Sequence, residues 1–461
     1  MNILMVSSYP PRKCGVGEFA FDLAHALMRK PRTNVGIAAL VTETAPQLPE
    51  VVMLIRKDHR PDYAAAANAI NGSRWDVVVV QHEFGLYGGT GGEWALDFIA
   101  SLRKPVITVI HTLDTAPVEP HASIVNRITA MSNFSVTATR HGQALLPSFG
   151  GSPERTAYIP LGAPDNASAN RDALRAAYGV SDRVVAMTFG LLNPNKGIEF
   201  VLDALPAVAA SHPQVLYWII GEPHPDNAEA AGYYARLQAR AHELGLSQHV
   251  HFMPVFHSQQ DLLHRLTAAD IYLSPHSDVS FAFASATLTY AARTGKPILS
   301  TPTLYARELL GDGTGILIPF GDVASIATQL SNLIGDAGAR NQVAARSRNK
   351  GASFDWSLVA DEYWRLAATA AKEGVRRGLP IKSEFRGRRR RRRWKLRRGR
   401  RGRWHRRVVR RGTIRGRRMR RVLRIRHGRR RLRLRRGSIR RGVRTRRAAA
   451  SRTRRRRART R

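Results

Sequence analysis

Lys196 ends the stretch Phe189-Gly190-Leu191-Leu192-Asn193-Pro194-Asn195-Lys196 and is followed by Gly197. An apolar run at 184–188 precedes the stretch. A helical pattern with Ile198, Val201, Leu202, Leu205 and Val208 on one side follows it. A helix start at this point offers backbone N–H groups and the positive end of a dipole, and the lysine adds a full charge, so the arrangement suits an anion. A strand-to-helix loop of any α/β protein can also hold a glycine and an exposed lysine, and the loop alone leaves both readings open. A second glycine loop, Cys14-Gly15-Val16-Gly17, leads from the first apolar run into a helix. Residues 15–20 fit the pattern G-x-G-x-x-A, which would suggest an NAD-type oxidoreductase. That fingerprint needs its glycines directly after the strand, and here eight residues intervene. The longer loop suits the approach of a phosphate or a sugar to backbone N–H groups. His82-Glu83 has the residue types of a metal site but no second histidine at helical spacing.

The elements that must position these residues are legible as alternation. Apolar runs at 3–6, 35–41, 77–80, 106–110, 134–139 and 157–160 are separated by helical patterns such as 18–29, 63–70 and 93–102. After a turn-rich patch at 161–170 the alternation restarts, with runs at 184–189, 215–220, 250–255, 271–274, 297–300 and 316–319. Val- and Ile-rich runs between helices predict buried parallel strands and doubly wound sheets, hence two similar α/β halves split near residue 165. An amphipathic helix is predicted at 356–371, with Leu358, Val359, Tyr363, Leu366 and Ala367 on its apolar side.

The formal charge of +41 sits in one tail: residues 381–461 hold 43 of the 75 Lys and Arg with a single acid, Glu384. Residues 1–380 keep 32 basic and 33 acidic residues and are electrically ordinary. The tail cannot bury a core and is expected to be disordered when unbound. Either it binds nucleic acid or an anionic membrane electrostatically and non-specifically, or it has no selected role, as in an out-of-frame end of a GC-rich gene. The one cysteine, Cys14, excludes an intrachain disulfide. Residues 2–8 lack a basic n-region and read as a strand rather than a signal peptide, and no apolar stretch reaches membrane-spanning length. A cytoplasmic protein is expected, peripheral at the inner membrane face if the tail engages lipid.

Four segments together resemble the family 4 retaining glycosyltransferases, nearest their mannosyltransferase-like branch. They are Ser7-Ser8-Tyr9-Pro10-Pro11 with Cys14-Gly15-Val16-Gly17, Gln81-His82-Glu83-Phe84-Gly85, His111-Thr112, and the loop from Gly190 to Gly197. Segments around Ala269-Asp270, Gly295-Lys296-Pro297 and Tyr305-Ala306-Arg307-Glu308 agree. The resemblance spans residues 1 to about 370. It implies an α/β fold of the GT-B type, with two Rossmann-like domains facing a cleft, a C-terminal crossover helix and a disordered Arg-rich tail. The implied divisions are an acceptor domain at 1–164, a donor-nucleotide domain at 165–352, the crossover helix at 353–372 and the tail at 381–461.

Residue roles follow from the same resemblance. Lys196 would neutralise the departing nucleotide diphosphate, and His111 would stand near the transferred sugar as the second catalytic residue. Gly15, Gly17, Gly190, Asn195, Ser285, Tyr305 and Glu308 would bind the donor, Glu308 at a helix start facing the nucleotide. His82 and Glu83 would line the acceptor side, and no metal or other cofactor is implied. The substrate would be a nucleotide-sugar donor, GDP-mannose or a UDP-sugar, and the partner a sugar or lipid-linked acceptor. The expected reaction is retaining transfer of a hexosyl group, mannosyl by the branch, to a hydroxyl in glycan or glycoconjugate biosynthesis. The chain departs from the broader family where Leu191 replaces a common arginine and where Ala282 and Tyr290 replace two glutamates; Ser285–Ala291 instead resembles the branch's Ser-Gly-x-Leu-x-Tyr-Ala segment, with Ala286 for the glycine. The alternative is a catalytically silent scaffold of the same fold that binds a sugar or a partner protein.

Overall fold

The computed structural model describes residues 1–42, 47–166, 168–224, 227–277 and 281–375. The expectations for residues 381–461 therefore lie outside the described residues. The first half holds β1 (Asn2–Ser7), β2 (Asn34–Val41), β3 (Val51–Arg56), β4 (Val77–His82), β5 (Val106–Ile110), β6 (Thr112–Asp114), β7 (Phe134–Thr137) and β8 (Thr156–Tyr158). Seven of these form one sheet in the order β3-β2-β1-β4-β5-β7-β8, parallel throughout. Every residue of β4 and β5 is buried, because helices cover both faces, and this is why the runs read as continuous rather than alternating. β3, at the sheet edge, alternates between covered and open positions.

The second half repeats the plan with β9 (Val184–Phe189), β10 (Val215–Ile220), β11 (Val250–Met253), β12 (Ile271–Ser274), β13 (Phe281–Phe283), β14 (Ile298–Ser300) and β15 (Ile316–Leu317). Its parallel sheet runs β11-β10-β9-β12-β14-β15. β13 does not join it. Instead β13 pairs antiparallel with β6 of the first half, in the register Phe281↔Asp114, Ala282↔Leu113 and Phe283↔Thr112. A two-stranded ribbon thus ties the halves together one residue after His111.

The chain crosses between the halves twice, side by side. Leu161 belongs to the core of the first half and Ala163 to that of the second. Ala163 N–H donates to the Phe354 carbonyl at 2.8 Å where the chain returns. Arg293 bonds Asp165 at 3.0 Å and Asp355 at 2.5 Å, joining both crossings. Asp355 then caps the helix Trp356–Glu373 by accepting from Ser357 N–H at 2.8 Å. Trp356, Val359, Ala360, Tyr363, Ala367 and Ala370 recur at helical spacing and bury against the first half, in one cluster with Phe19 and Leu23. Among the described residues no helix is long and apolar enough to cross a membrane.

Candidate functional site

A cavity of about 560 Å³ opens where the carboxyl ends of both sheets face each other, the usual place for a ligand in open α/β sheets. One wall carries Cys14, Gly15, Glu18, Phe19 and Asp22 from the loop and helix after β1, Glu83 after β4, and His111 and Thr112 after β5. The other carries Gly190, Leu191, Asn193 and Lys196 after β9, Gly221 and His224 after β10, Val255, Phe256 and His257 after β11, and Thr287 and Tyr290.

Local chemistry shapes the Lys196 loop. Gly190 has φ +120° and Gly221 φ +131°, and a Cβ on Gly221 would overlap the Gly190 carbonyl, so the two loops touch because residue 221 is glycine. Asn193 turns the chain at Pro194–Lys196 by accepting from Asn195 N–H at 3.0 Å. Gly197, φ +60°, then opens the helix Ile198–Ser211. The structure pairs several of the N–H groups expected to be free at this helix start. Lys196, Gly197 and Phe200 N–H donate to backbone carbonyls, and Ile198 N–H donates to the Tyr233 hydroxyl at 2.9 Å. The Lys196 ammonium is the cation that this wall offers to an anion. It meets no carboxylate among the described residues, and burial pulls its pKa down to about 8.

The uncapped helix start is on the other wall. Cys14 makes no side-chain cap to the helix Gly15–Met28, and among the described residues, chain neighbours aside, nothing lies within 4 Å of where a Gly15 Cβ would be, so Gly15 lies open at the cavity. Gly17 is buried and does not reach the cavity. Its missing side chain lets the helix lie against Ser8, with the Cβ position 3.3 Å from Ser8 Oγ.

His111 does reach the cavity. Its ring stands edge-on to Phe19, and its Nε2 is 2.8 Å from Gln81 Oε1. With the amide so placed, the ring proton is on Nε2 and Nδ1 is left as an acceptor. Burial lowers the histidine to about 4, so it is neutral at pH 7. His82 departs from its expected place on the acceptor side. It is fully buried behind the wall, stacked on Tyr87 at 6.1 Å between ring centroids and held neutral with a pKa of about 3 by burial. Glu83 lines the cavity, with its carboxyl pushed upward by burial despite a hydrogen bond from Phe84 N–H at 3.0 Å.

Besides Gly17, four residues expected to bind the donor face elsewhere. Asn195 is exposed on the outer side of its turn, and Asn193 takes the position on the cavity. Ser285 Oγ caps the helix Ala286–Arg293, and Thr287 of that helix lines the cavity. Tyr305 is a core residue, its hydroxyl 2.7 Å from Thr289 Oγ1. Glu308 accepts from Arg140 N–H at 2.8 Å and His141 N–H at 3.2 Å, capping the helix Arg140–Leu145 of the opposite half. A carboxylate is drawn to unpaired N–H groups, and the nearest ones lie in the other half.

Sequence reasoning missed a cluster built across the cleft. Gln259 Nε2 donates to Asp22 Oδ2 at 2.8 Å and to the Tyr290 hydroxyl at 3.2 Å. Burial raises Asp22 to about 6, although the bond from Gln259 works against the shift. Tyr290, at one of the usual glutamate positions, thus faces an acid supplied by the other half. The signal available was the i,i+4 pair Glu18 and Asp22, which a helix places on one face just after the glycine loop. Gln259 has no comparable signal, since its partner is 237 residues away.

The family model for glycosyl transferases group 1 matches residues 170–350. That segment is a group 1 glycosyltransferase domain. The domain contains Lys196 and the whole second sheet, in agreement with the resemblance drawn from the motifs. Curated relatives include phosphatidyl-myo-inositol mannosyltransferase of Mycobacterium leprae, 30% identical over 186 residues that cover 39% of this chain and 45% of that one. D-inositol 3-phosphate glycosyltransferase of Rhodococcus opacus is 27% identical over 267 residues, 56% of this chain and 58% of that one. The chain spans about half the length of the curated relatives it matches. Among solved structures, Anabaena HepE in complex with UDP has a TM-score of 0.64 at 18% identity, covering 80% of this chain and 100% of that one. WaaG, a glycosyltransferase involved in lipopolysaccharide biosynthesis, has a TM-score of 0.58 at 17% identity, covering 80% and 99%. Around the glycosyltransferase domain the whole described chain has the GT-B fold, with the helix Trp356–Glu373 as its crossover helix.

Proposed function

We propose that the protein is a nucleotide-sugar-dependent retaining glycosyltransferase that moves a hexosyl group, mannosyl by its relatives, to an acceptor hydroxyl in glycan or glycoconjugate biosynthesis. One observation carries the reading: Lys196 presents an ammonium without a carboxylate partner among the described residues to a cavity whose far wall holds the uncapped start of the helix Gly15–Met28. A diphosphate between them meets a full charge on one side and backbone N–H groups on the other. The neutral His111, with Nδ1 as acceptor, fits a sugar hydroxyl near the bond that breaks. The acceptor hydroxyl would then attack the face the nucleotide diphosphate leaves, and the reading invokes no metal. The relatives' names supply the mannosyl preference, and the complex of HepE with UDP supports a nucleotide donor. An Arg-rich tail that recruits the enzyme to an anionic membrane or to nucleic acid belongs to the same proposal, as does a place at the inner face of a membrane.

The test is calorimetric titration of the full chain with GDP, UDP and their hexose conjugates, followed by assay of nucleotide release with and without sugar acceptors. Binding and release that Lys196→Ala removes are expected. Absence of binding by every nucleotide would favour the silent scaffold instead, for which the replaced glutamates at 282 and 290 are the motivating observation.

A further inference from the structure

The cavity is divided by charge as well as by domain. Its first-half wall presents three carboxyl side chains, Glu18, Asp22 and Glu83, and, among the described residues, no lysine or arginine. Lys196, the lysine that lines the cavity, belongs to the opposite wall. The cations nearest in sequence, Arg12 and Lys13, do not change the balance. Arg12 is not among the lining residues, and Lys13 is ion-paired with Glu222 at 2.8 Å. Burial pushes all three carboxyls upward, and Asp22 adds to the effect on Glu18. Burial therefore moves the wall's charge to higher pH, and above those raised values its ionised carboxylates accept hydrogen bonds from hydroxyl or ammonium groups and resist a further anion.

Resting on the donor reading above, we infer that the acceptor is a polyol or amino sugar carrying no phosphate, selected by Glu18, Asp22 and Glu83 on the first-half wall. The diphosphate and the acceptor then divide the cavity by charge. The donor's anionic part lies between Lys196 and the helix start at Gly15, and the acceptor's hydroxyl or ammonium groups belong with the carboxylates. This sets the chain apart from relatives named for phosphatidyl-myo-inositol and D-inositol 3-phosphate. Like charges placed together across an interface suppress the wrong partner more strongly than opposite charges reward the right one.

The experiment uses the full chain at one high ionic strength, so that the basic tail contributes equally to every measurement. Nucleotide binding and release without acceptor are recorded first, and they report only on the donor reading. A hexose, the corresponding hexosamine and the hexose 6-phosphate are then compared by calorimetry and by acceptor-stimulated nucleotide release. The neutral and amino sugars are expected to exceed the phosphate ester by about tenfold or more. Glu83→Gln and, separately, Glu18→Gln should shrink that ratio several-fold. A phosphate ester that binds or reacts as well as the others overturns the inference, as does equal failure of all three. A ratio unchanged in both variants also overturns it.

Discussion

Lys196 is where the proposed chemistry is most exposed to measurement. Replacing it with alanine removes a preorganised charge at a developing anion and should lower turnover on the order of 100- to 1000-fold. Its ammonium titrates near pH 8 in the empty protein, so nucleotide affinity should hold below that pH and fall as pH rises through it. Titrating a nucleoside diphosphate at a series of pH values checks this, and Lys196→Ala should flatten the curve. Asp22 gives the complementary result. Its carboxyl is raised from 3.8 to about 6, so the folded state holds the proton more tightly than the unfolded state. The associated stability is fully present below about pH 4 and is lost as pH rises through 6. Asp22→Asn keeps an acceptor for Gln259 without the buried charge. It should raise stability at pH 8 by about 1–3 kcal/mol and change nothing below pH 4, as thermal melts at the two pH values would show.

At the scale of elements, Glu308 separates the two accounts of its role. As a cap on the helix Arg140–Leu145, its change to alanine should cost about 1 kcal/mol of stability and leave nucleotide affinity unaltered. Denaturant midpoints and a nucleotide titration together decide this, and a loss of affinity would return it to the donor site. The strands that carry the site were legible because their cause is local: runs such as 184–189, 215–220 and 271–274 are apolar wherever helices cover both faces, and they coincide with β9, β10 and β12. β3 is harder to read although Val51–Arg56 is rich in apolar residues, because an edge strand is covered on alternate positions only. β6 and β13 could not have been read at all. Each is three residues long, and each is a strand only because the other half of the molecule supplies its partner. The same reason explains the site. Lys196 and His111 follow from their own strand ends, whereas the burial of His82, the capping by Glu308 and the Asp22–Gln259–Tyr290 cluster depend on contacts distant in sequence.

For the whole molecule, the two halves are held by contacts of different kinds: the paired chain crossings at Arg293, the Lys13–Glu222 ion pair, the Asp22–Gln259 hydrogen bond and the ribbon of β6 with β13. The exposed ion pair contributes little, about 0–1 kcal/mol, and is screened by salt. The ribbon is made of paired backbone and therefore has a clock that needs no label. Of the amides at 112–114 and 281–283, those that point across the ribbon are protected by the pairing of the two halves and exchange with solvent when the halves part. Those of β5 and β12, a few residues earlier along the chain, are held within their own sheets. Deuterium uptake should therefore be faster in the ribbon than in β5 or β12. A bound nucleoside diphosphate should slow the ribbon alone, so that one pair of short strands records how often the cleft opens.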